Sequence, residues 1–214
     1  MYYFELYQIP VSFLPDIASI KKQYFVLSKQ YHPDFYSNTS PEKQAEILAL
    51  STQVNKAYAV LTDMDKRMRY ILMEAGFLQE EEKFILPQDF LMEMMDINEK
   101  LMEVQMEGDK DASAAIKNEI TQLEESLYQG ILPTLQNFDI NSLHPDIMLS
   151  IKTYYFKRKY LLRLLEQVDG GGEWGDLIKV CRPFSLGSFA LIFLSVIDFL
   201  VILVNGSRNF DMKV

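Results

Sequence analysis

The sequence predicts an all-α protein on three observations. Apolar residues recur at three- and four-residue steps over long stretches, the alternation typical of strands is nearly absent, and glycine and proline punctuate the periodic stretches without pervading them. A chain of 214 residues, 49% of them hydrophobic, can bury a core and form one or two domains. We predict three parts, namely residues 1–76, residues 84–168 and an extension over residues 169–214.

The first part begins with a short helical turn at residues 3–7, which breaks at Ile9 and Pro10. A longer helix follows Asp16, and its apolar residues predict one buried face: Ile17, Ile20, Tyr24, Leu27 and Tyr31. Its only charges up to residue 33 are cations that lie off this face: Lys21, Lys22 and Lys29. A charge run of this kind is usually a solvated face.

The run Gln-Tyr-His-Pro-Asp at residues 30–34 ends this helix. Pro33 disfavours helical dihedral angles at His32, so the chain should present His32 and Asp34 from a turn. The alternative is an ordinary loop capped by its own side chains. A return helix is predicted with Ser40 as its N-cap and Pro41 as its first residue.

The return helix should run through residues 55–58, Asn-Lys-Ala-Tyr, to Leu61. Its apolar surface is predicted from Ala45, Leu48, Thr52, Val54, Tyr58, Ala59 and Leu61. Asp63 can cap a further helix that continues to Met73 and ends at Gly76.

The triplet His-Pro-Asp occurs a second time, at residues 144–146, with different flanks. Here it precedes an apolar-periodic run, so Pro145 indicates the start of a helix, with Asn141 or Ser142 near the cap. We therefore interpret the second copy as structural and the first as the candidate site.

Three further helices with matching apolar stripes follow an acidic linker at residues 79–82. Pro87 opens the first, which ends at Gly108, and the third starts near Pro145 and is interrupted by Arg158. The stripes are Phe90, Met94, Ile97, Leu101 and Val104; then Ile116, Ile120, Leu123, Leu127 and Ile131; then Ile147, Ile151, Tyr154, Leu161, Leu165 and Val168. They predict an antiparallel three-helix bundle.

The first bundle helix is more apolar than a bundle requires. Next to its stripe lies a face on which apolar and acidic residues interleave: Leu91, Met95 and Met102 with Asp96, Glu99 and Glu103. Such a face is either an adaptable protein-binding patch or part of a wide stripe buried against neighbouring helices. Phe156 is a lone aromatic residue on a cationic face, and it is either cover for long basic side chains or an anchor beside this patch.

The formal charge of −9 is unevenly distributed. Residues 1–76 carry eight acidic and eight basic side chains, whereas residues 77–168 carry seventeen and nine. Nucleic acid is therefore not expected as a partner, and the second part should bind a basic surface or an apolar surface with a basic rim. Cys181 is the one cysteine, and the two histidines lack a cysteine cluster, so neither a disulfide nor a zinc site is predicted.

No catalytic residue, metal or cofactor is predicted, so the chain is not expected to be an enzyme. Residues 1–5 lack the charged start and apolar run of a secretory signal. A cytoplasmic protein is the expectation.

A basic helix, a His-Pro-Asp turn and an antiparallel return helix together resemble the J-domain, the co-chaperone module that stimulates ATP hydrolysis by DnaK-type chaperones. The resemblance implies a chaperone-binding set made of Lys21, Lys22, Lys29, His32, Pro33 and Asp34. Phe25 and Val26 replace a basic pair of the generic pattern, and Gln30 and Phe35 flank the motif where a lysine is often found. These departures imply a docking surface with fewer positive charges than usual, and a specialised chaperone as partner.

The added bundle, which opens with Phe-Leu-Met-Glu at residues 90–93, makes the chain resemble the HscB family of J-domain co-chaperones. The family implies two partners, a HscA/DnaK-type ATPase chaperone and an IscU-type iron–sulfur scaffold protein. Its scaffold-binding residues fall here on Leu91, Met95, Asp96, Glu99, Glu103 and Phe156. Asn98 replaces a basic residue common in the family.

Residues 169–214 have no counterpart in that family. Residues 186–204 have about the length of one membrane crossing, although Asp198 would cost roughly 2.5–3.5 kcal/mol near the centre of a span. A C-terminal membrane anchor, a packed segment and sequence from an altered reading frame are the three interpretations. The alternative functions are a general J-domain co-chaperone for unfolded clients, with the tail as a membrane anchor, and an enzyme, which no nucleophile–base pair or phosphate loop supports.

Overall fold

Seven α-helices and one 3₁₀ turn make up residues 1–169, the part of the chain that the computed structural model describes. The helices are α1 Tyr2–Leu6, α2 Ile17–Gln30, α3 Pro41–Thr62, α4 Met64–Glu74, α5 Gln88–Glu107, α6 Lys110–Gln136 and α7 Pro145–Val168. The 3₁₀ turn, Pro33–Tyr36, joins α2 to α3. The predicted all-α class is confirmed.

Helix termini lie where the sequence predicts them because side chains satisfy the free backbone N–H groups. The Asp16 carboxylate accepts hydrogen bonds from the N–H groups of Ala18 and Ser19, and the Ser19 hydroxyl and Ala18 N–H lower the pKa of this carboxyl. Ser40 caps α3 and Asp63 caps α4 in the same way. Gly108 ends α5 in a left-handed conformation with φ of 70°.

Helices α2 and α3 form the predicted antiparallel hairpin. The ring of Tyr24 stacks on Tyr58, with centroids 4.3 Å apart, and its hydroxyl donates to the side chain of Asn55 at 3.1 Å. Ile20 and Leu27 of α2 lie buried in the core below these rings. Asn55 and Tyr58, both in the Asn-Lys-Ala-Tyr segment of α3, therefore hold α2 in place.

The predicted apolar face of α3 is partly wrong. Leu48 is 59% exposed, and Ala45, Thr52 and Ala59 are also exposed, whereas Ile47 and Ala57 are buried. The reason is that α3 carries apolar residues around most of its circumference, so spacing alone does not fix which face packs.

A buried arginine holds the connections of the first part together. The Arg67 guanidinium on α4 donates to the backbone carbonyl of Phe13 at 3.0 Å and to that of Leu61, near the end of α3. Tyr7, buried after α1, donates its hydroxyl to the carbonyl of Val54 at 2.8 Å. These bonds satisfy polar groups inside the core, where an unpaired one would be costly.

Helices α5, α6 and α7 form the predicted bundle, but α7 buries more than the stripe assigned to it. Met148, Tyr155, Tyr160 and Leu164 are buried, whereas Ile147 is 39% exposed. The reason is that α7 contacts both α6 and α4 and therefore has two buried sides. His144 is the N-cap residue of α7, and Asn141 and Ser142 lie near it, two or three residues before.

The two helical parts share one core instead of being joined only by the linker. Ile71 and Leu72 of α4 lie in the same buried cluster as Ile151 and Tyr154 of α7. Arg158 of α7 donates to Asp65 of α4 and, at 2.9 Å, to Glu124 of α6. The linker is also fixed, because Glu82 forms an ion pair with Lys152. The domain boundaries at residues 76 and 84 stay predictions.

The predicted extension, apart from Asp169, lies outside the described residues. Within residues 1–169, no helix has the length and hydropathy required to cross a membrane.

Replacing Arg158 with methionine should lower the free energy of unfolding by about 1–3 kcal/mol, because two partly buried carboxylates lose their shared cation. Urea denaturation measures this change. Arg69→Met is the matched control, since Arg69 pairs only loosely with Glu80, at 3.8 Å between exposed side chains. Its loss should stay below about 0.5 kcal/mol. Equal losses for both variants would show that Arg158 does not join the two parts.

Candidate functional site

The His-Pro-Asp turn lies at the surface, at the end of α2. The Tyr31 N–H closes the helix on the carbonyl of Leu27 at 2.9 Å, and His32 then adopts extended dihedral angles, φ −71° and ψ 123°. Pro33 starts the 3₁₀ turn. The side chains of His32 and Asp34 are 50% and 85% exposed, so both are available to a partner.

The imidazole of His32 is oriented by its own turn. Its Nδ1 accepts the backbone N–H of Asp34 at 3.3 Å and lies 3.7 Å from the Asp34 carboxylate. Phe35, which is 67% exposed, lies beside the imidazole with ring centroids 5.7 Å apart.

Hydrogen bonds from both helices hold the turn. The Tyr36 hydroxyl donates to the carbonyl of Gln30 at 3.0 Å, which ties the 3₁₀ turn to α2. The Gln44 side chain of α3 donates to the carbonyls of Ser37 and Thr39, each at 3.0 Å. The turn is thus a fixed corner and not an unsupported loop.

The three cations of α2 are exposed and share one side of the helix. Lys22 and Lys29 are seven residues apart, which places them on the same face, and Lys21 is adjacent. The buried residues Ile20 and Leu27 define the opposite side. A cationic face therefore leads along α2 to His32.

The interleaved face of α5 is open to solvent. Met95 is 62% exposed, the three acids Asp96, Glu99 and Glu103 are exposed, and Leu91 is half-buried. The structure adds Met92 and Met106, 61% and 73% exposed, which the sequence analysis left out. Met92 lies three residues before Met95, and Met106 lies four residues after Met102. This helical spacing could have placed both on the same side of α5. We use the name α5 patch for Leu91, Met92, Met95, Met102 and Met106 with Asp96, Glu99 and Glu103.

Phe156 is partly covered by a residue that the sequence analysis did not single out. Its ring stacks on Phe84 with centroids 4.7 Å apart and an interplanar angle of 7°. Lys152 lies 5.4 Å from the centroid of the Phe84 ring. The segment that contains Phe84 leads directly into α5, so the stacked pair adjoins the start of that helix. The feature of the sequence that could have indicated Phe84 is its position, since it is an aromatic residue shortly before a bundle helix.

The side-chain amide of Asn98 forms its hydrogen bonds within the bundle. It donates to the carbonyl of Met94 and, at 3.2 Å, to the hydroxyl of Tyr160 on α7. The residue that departs from the family pattern therefore serves the packing of α5 on α7.

Comparison with known proteins matches both parts of the chain. Residues 3–70 match the model of the DnaJ domain, and residues 86–169 match that of the HSCB C-terminal oligomerisation domain. A co-chaperone protein HscB homolog from Colwellia psychrerythraea is 31% identical over 160 residues, which cover 72% of this chain and 90% of that protein. The chain belongs to the HscB family of co-chaperones. An HscB homolog from Haemophilus ducreyi is 29% identical over 168 residues, 78% of this chain and 94% of that protein.

Solved HscB structures share the fold. The crystal structure of the human co-chaperone protein HscB has a TM-score of 0.65 at 26% identity, over 78% of this chain and 80% of that one. The chaperone HscB from Vibrio cholerae, at 24% identity, has a TM-score of 0.61 over 78% and 95%. The resemblance stated from the sequence is confirmed, and a J-domain in this family implies an Hsp70-type partner.

Replacing Gln44 with alanine should loosen the turn without unfolding the protein, because two hydrogen bonds to residues 37 and 39 are lost. We expect faster hydrogen exchange at the amides of Phe35 and Thr39, and a global stability loss of no more than about 1 kcal/mol. Lys43→Ala, one residue away and with a side chain that bonds to Glu46, should leave both amides unchanged. Unchanged exchange in the Gln44 variant would contradict this role.

Proposed function

We propose that this chain binds an IscU-type iron–sulfur scaffold protein through α5–α7 and delivers it to a HscA/DnaK-type chaperone, whose ATPase it stimulates through the His-Pro-Asp turn. One observation carries the proposal: a single rigid unit presents two open surfaces of opposite chemistry. A cationic helix leads to an exposed turn at one surface, and apolar side chains rimmed by acids form the other.

The chaperone is bound by charge and by the shape of the turn. Lys21, Lys22 and Lys29 attract an acidic surface over a distance and set the approach of the partner. His32 and Asp34 then make contacts that are stronger in the hydrolysing conformation of the chaperone than in its resting one. A difference of this kind shifts the chaperone between states, so the chain itself needs no catalytic group.

The scaffold is bound by the α5 patch together with Phe156. Leu91 and Met95 supply apolar contact area, and flexible methionine side chains adapt to the surface that covers them. Asp96, Glu99 and Glu103 select a partner with basic groups around an apolar centre. Phe156, stacked on Phe84, adds an aromatic anchor of the kind that dominates binding energy at interfaces.

A general J-domain co-chaperone that takes unfolded clients is the second candidate, and the exposed methionines of α5 favour it. The acidic residues beside them favour the scaffold-binding function, because a fixed charge pattern selects one folded partner. Binding of the folded scaffold, measured against binding of a denatured peptide, separates the two.

His32→Gln should abolish stimulation of ATP hydrolysis by a purified HscA-type chaperone while the far-UV circular dichroism spectrum stays unchanged, because the side chain is half exposed. His144→Gln is the matched control, since this histidine precedes the same two residues but lies at the start of α7, where its side chain makes no capping hydrogen bond. It should stimulate as well as the wild type. Full stimulation by the His32 variant would refute the chaperone-binding role.

The combined variant Leu91→Ala, Met95→Ala and Phe156→Ala should weaken scaffold binding at least about 30-fold, since truncation of one or more anchors costs about 2 kcal/mol or more. Isothermal titration calorimetry with a purified IscU-type scaffold measures this. Stimulation of the chaperone without scaffold should persist. Leu149→Ala, a 52% exposed apolar residue on α7, is the control. Unchanged affinity in the triple variant would show that the scaffold binds elsewhere.

A further inference from the structure

Apolar side chains lie inside the cationic face of α2. Phe25 is 72% exposed and Val26 is 52% exposed. Helical spacing places Phe25 between Lys21, one turn before it, and Lys29, one turn after it. An exposed aromatic residue thus lies between two lysines on the face that leads to the turn.

The apolar character continues past the end of the helix. Phe35, 67% exposed, lies beside the His32 ring at a centroid distance of 5.7 Å. Three exposed apolar residues thus flank the cations and the turn, namely Phe25, Val26 and Phe35. A partner that covers the cationic face therefore meets apolar groups as well as charges.

The geometry points to Phe25 as an apolar anchor in the contact with the Hsp70-type chaperone. Val26 and Phe35 assist it, and the matching surface on the chaperone is an apolar recess within an acidic area of its ATPase domain. This inference rests on the proposed function, because it takes the α2 face and the turn as the chaperone-binding surface.

Charge complementarity identifies this partner. Between residues 17 and 33 the chain carries no acidic side chain, and among residues 1–169 none of the three lysines forms an ion pair. A partner that covers this face is therefore expected to supply negative charge. An aromatic residue in the middle of such a face is in the position of a binding hot spot, where surrounding groups exclude water from the central contact.

A second copy of this chain is the competing occupant, since the α5 patch is also apolar and is rimmed by acids. A contact from α2 of one copy to the α5 patch of the next uses different surfaces on the two copies and generates open chains unless the rotation closes. Self-association through this contact would therefore grow with concentration, which sedimentation velocity detects.

Salt separates the apolar contribution from the electrostatic one. Stimulation of a purified HscA-type chaperone is titrated with the full chain at about 0.05 M and about 0.5 M KCl, between which the Debye length falls from about 14 Å to about 4 Å. Phe25→Ala should raise the half-maximal concentration about 30-fold at both salt concentrations, as loss of a binding hot spot does. Lys22→Ala should raise it at low salt only, because screening already weakens that contact at high salt.

Two further variants sharpen the test. Phe25→Lys should stimulate at low salt and fail at high salt, since it exchanges an apolar contact for a screened one. Leu149→Ala, exposed on α7, should behave as the wild type. Phe25 is exposed, so circular dichroism and the urea midpoint should stay unchanged in its variants.

The outcomes are distinct. The anchor is refuted if Phe25→Ala lies within twofold of the wild type, or if its defect vanishes at high salt. Wild-type self-association that Phe25→Ala abolishes would identify the second copy as the occupant and also overturn the proposal. His32→Gln tests the proposed function separately: if that variant still stimulates, the function and the anchor fall together, whereas its inactivity beside an unaffected Phe25→Ala refutes the anchor alone.

Discussion

The packing of α7 against two neighbours is the constraint on which the rest of the structure depends. One side of the helix packs against α6 and the other against α4, and Arg158 bonds to an acid on each. Ile151 and Tyr154 lie in the same core as Ile71 and Leu72. Because such cores are close-packed, the two parts cannot rotate against each other without exposing buried apolar surface. The turn after α2 and the α5 patch are therefore held in a fixed relation.

The molecule contributes no chemistry of its own in the proposed function, and its surfaces are shaped accordingly. The turn is tied by Tyr36 and Gln44, which reduces the entropy lost on binding, whereas the α5 patch consists largely of methionine, whose side chain adapts to its partner. A rigid element suits a partner whose conformation must be shifted, and an adaptable one suits a partner that must be bound and released.

Local chemistry explains which elements were predictable from the sequence. Asp16, Ser40 and Asp63 each satisfy N–H groups within three residues, so α2, α3 and α4 begin where local rules place them. The exposed side of α5 was predictable in part, because its buried stripe is narrow, but Met92 and Met106 were not predicted to lie on it. The buried face of α3 was not predictable, since Leu48 and Ile47 are both strongly apolar and only the tertiary contacts of α3 decide which of them is buried.

Long-range contacts explain the remaining differences. Arg158 interrupts an apolar stripe in the sequence, and only the fold shows that Asp65, 93 residues away, is its partner. The stacking of Phe84 on Phe156 likewise joins positions that no helical spacing relates. The second buried side of α7 was missed for the same reason. A stripe predicted for a bundle accounts only for contacts within the bundle, whereas α7 also packs against α4.

The anchored linker has a consequence for cargo transfer. In proteins whose domains are joined by flexible linkers, the effective concentration of one bound ligand near the other depends on linker length. Here Glu82 is held by Lys152 and Phe84 by Phe156, so the chain between the modules sets no such dependence. In the proposed function, the protein would therefore work as a rigid spacer that fixes the distance and orientation of a bound scaffold relative to the chaperone.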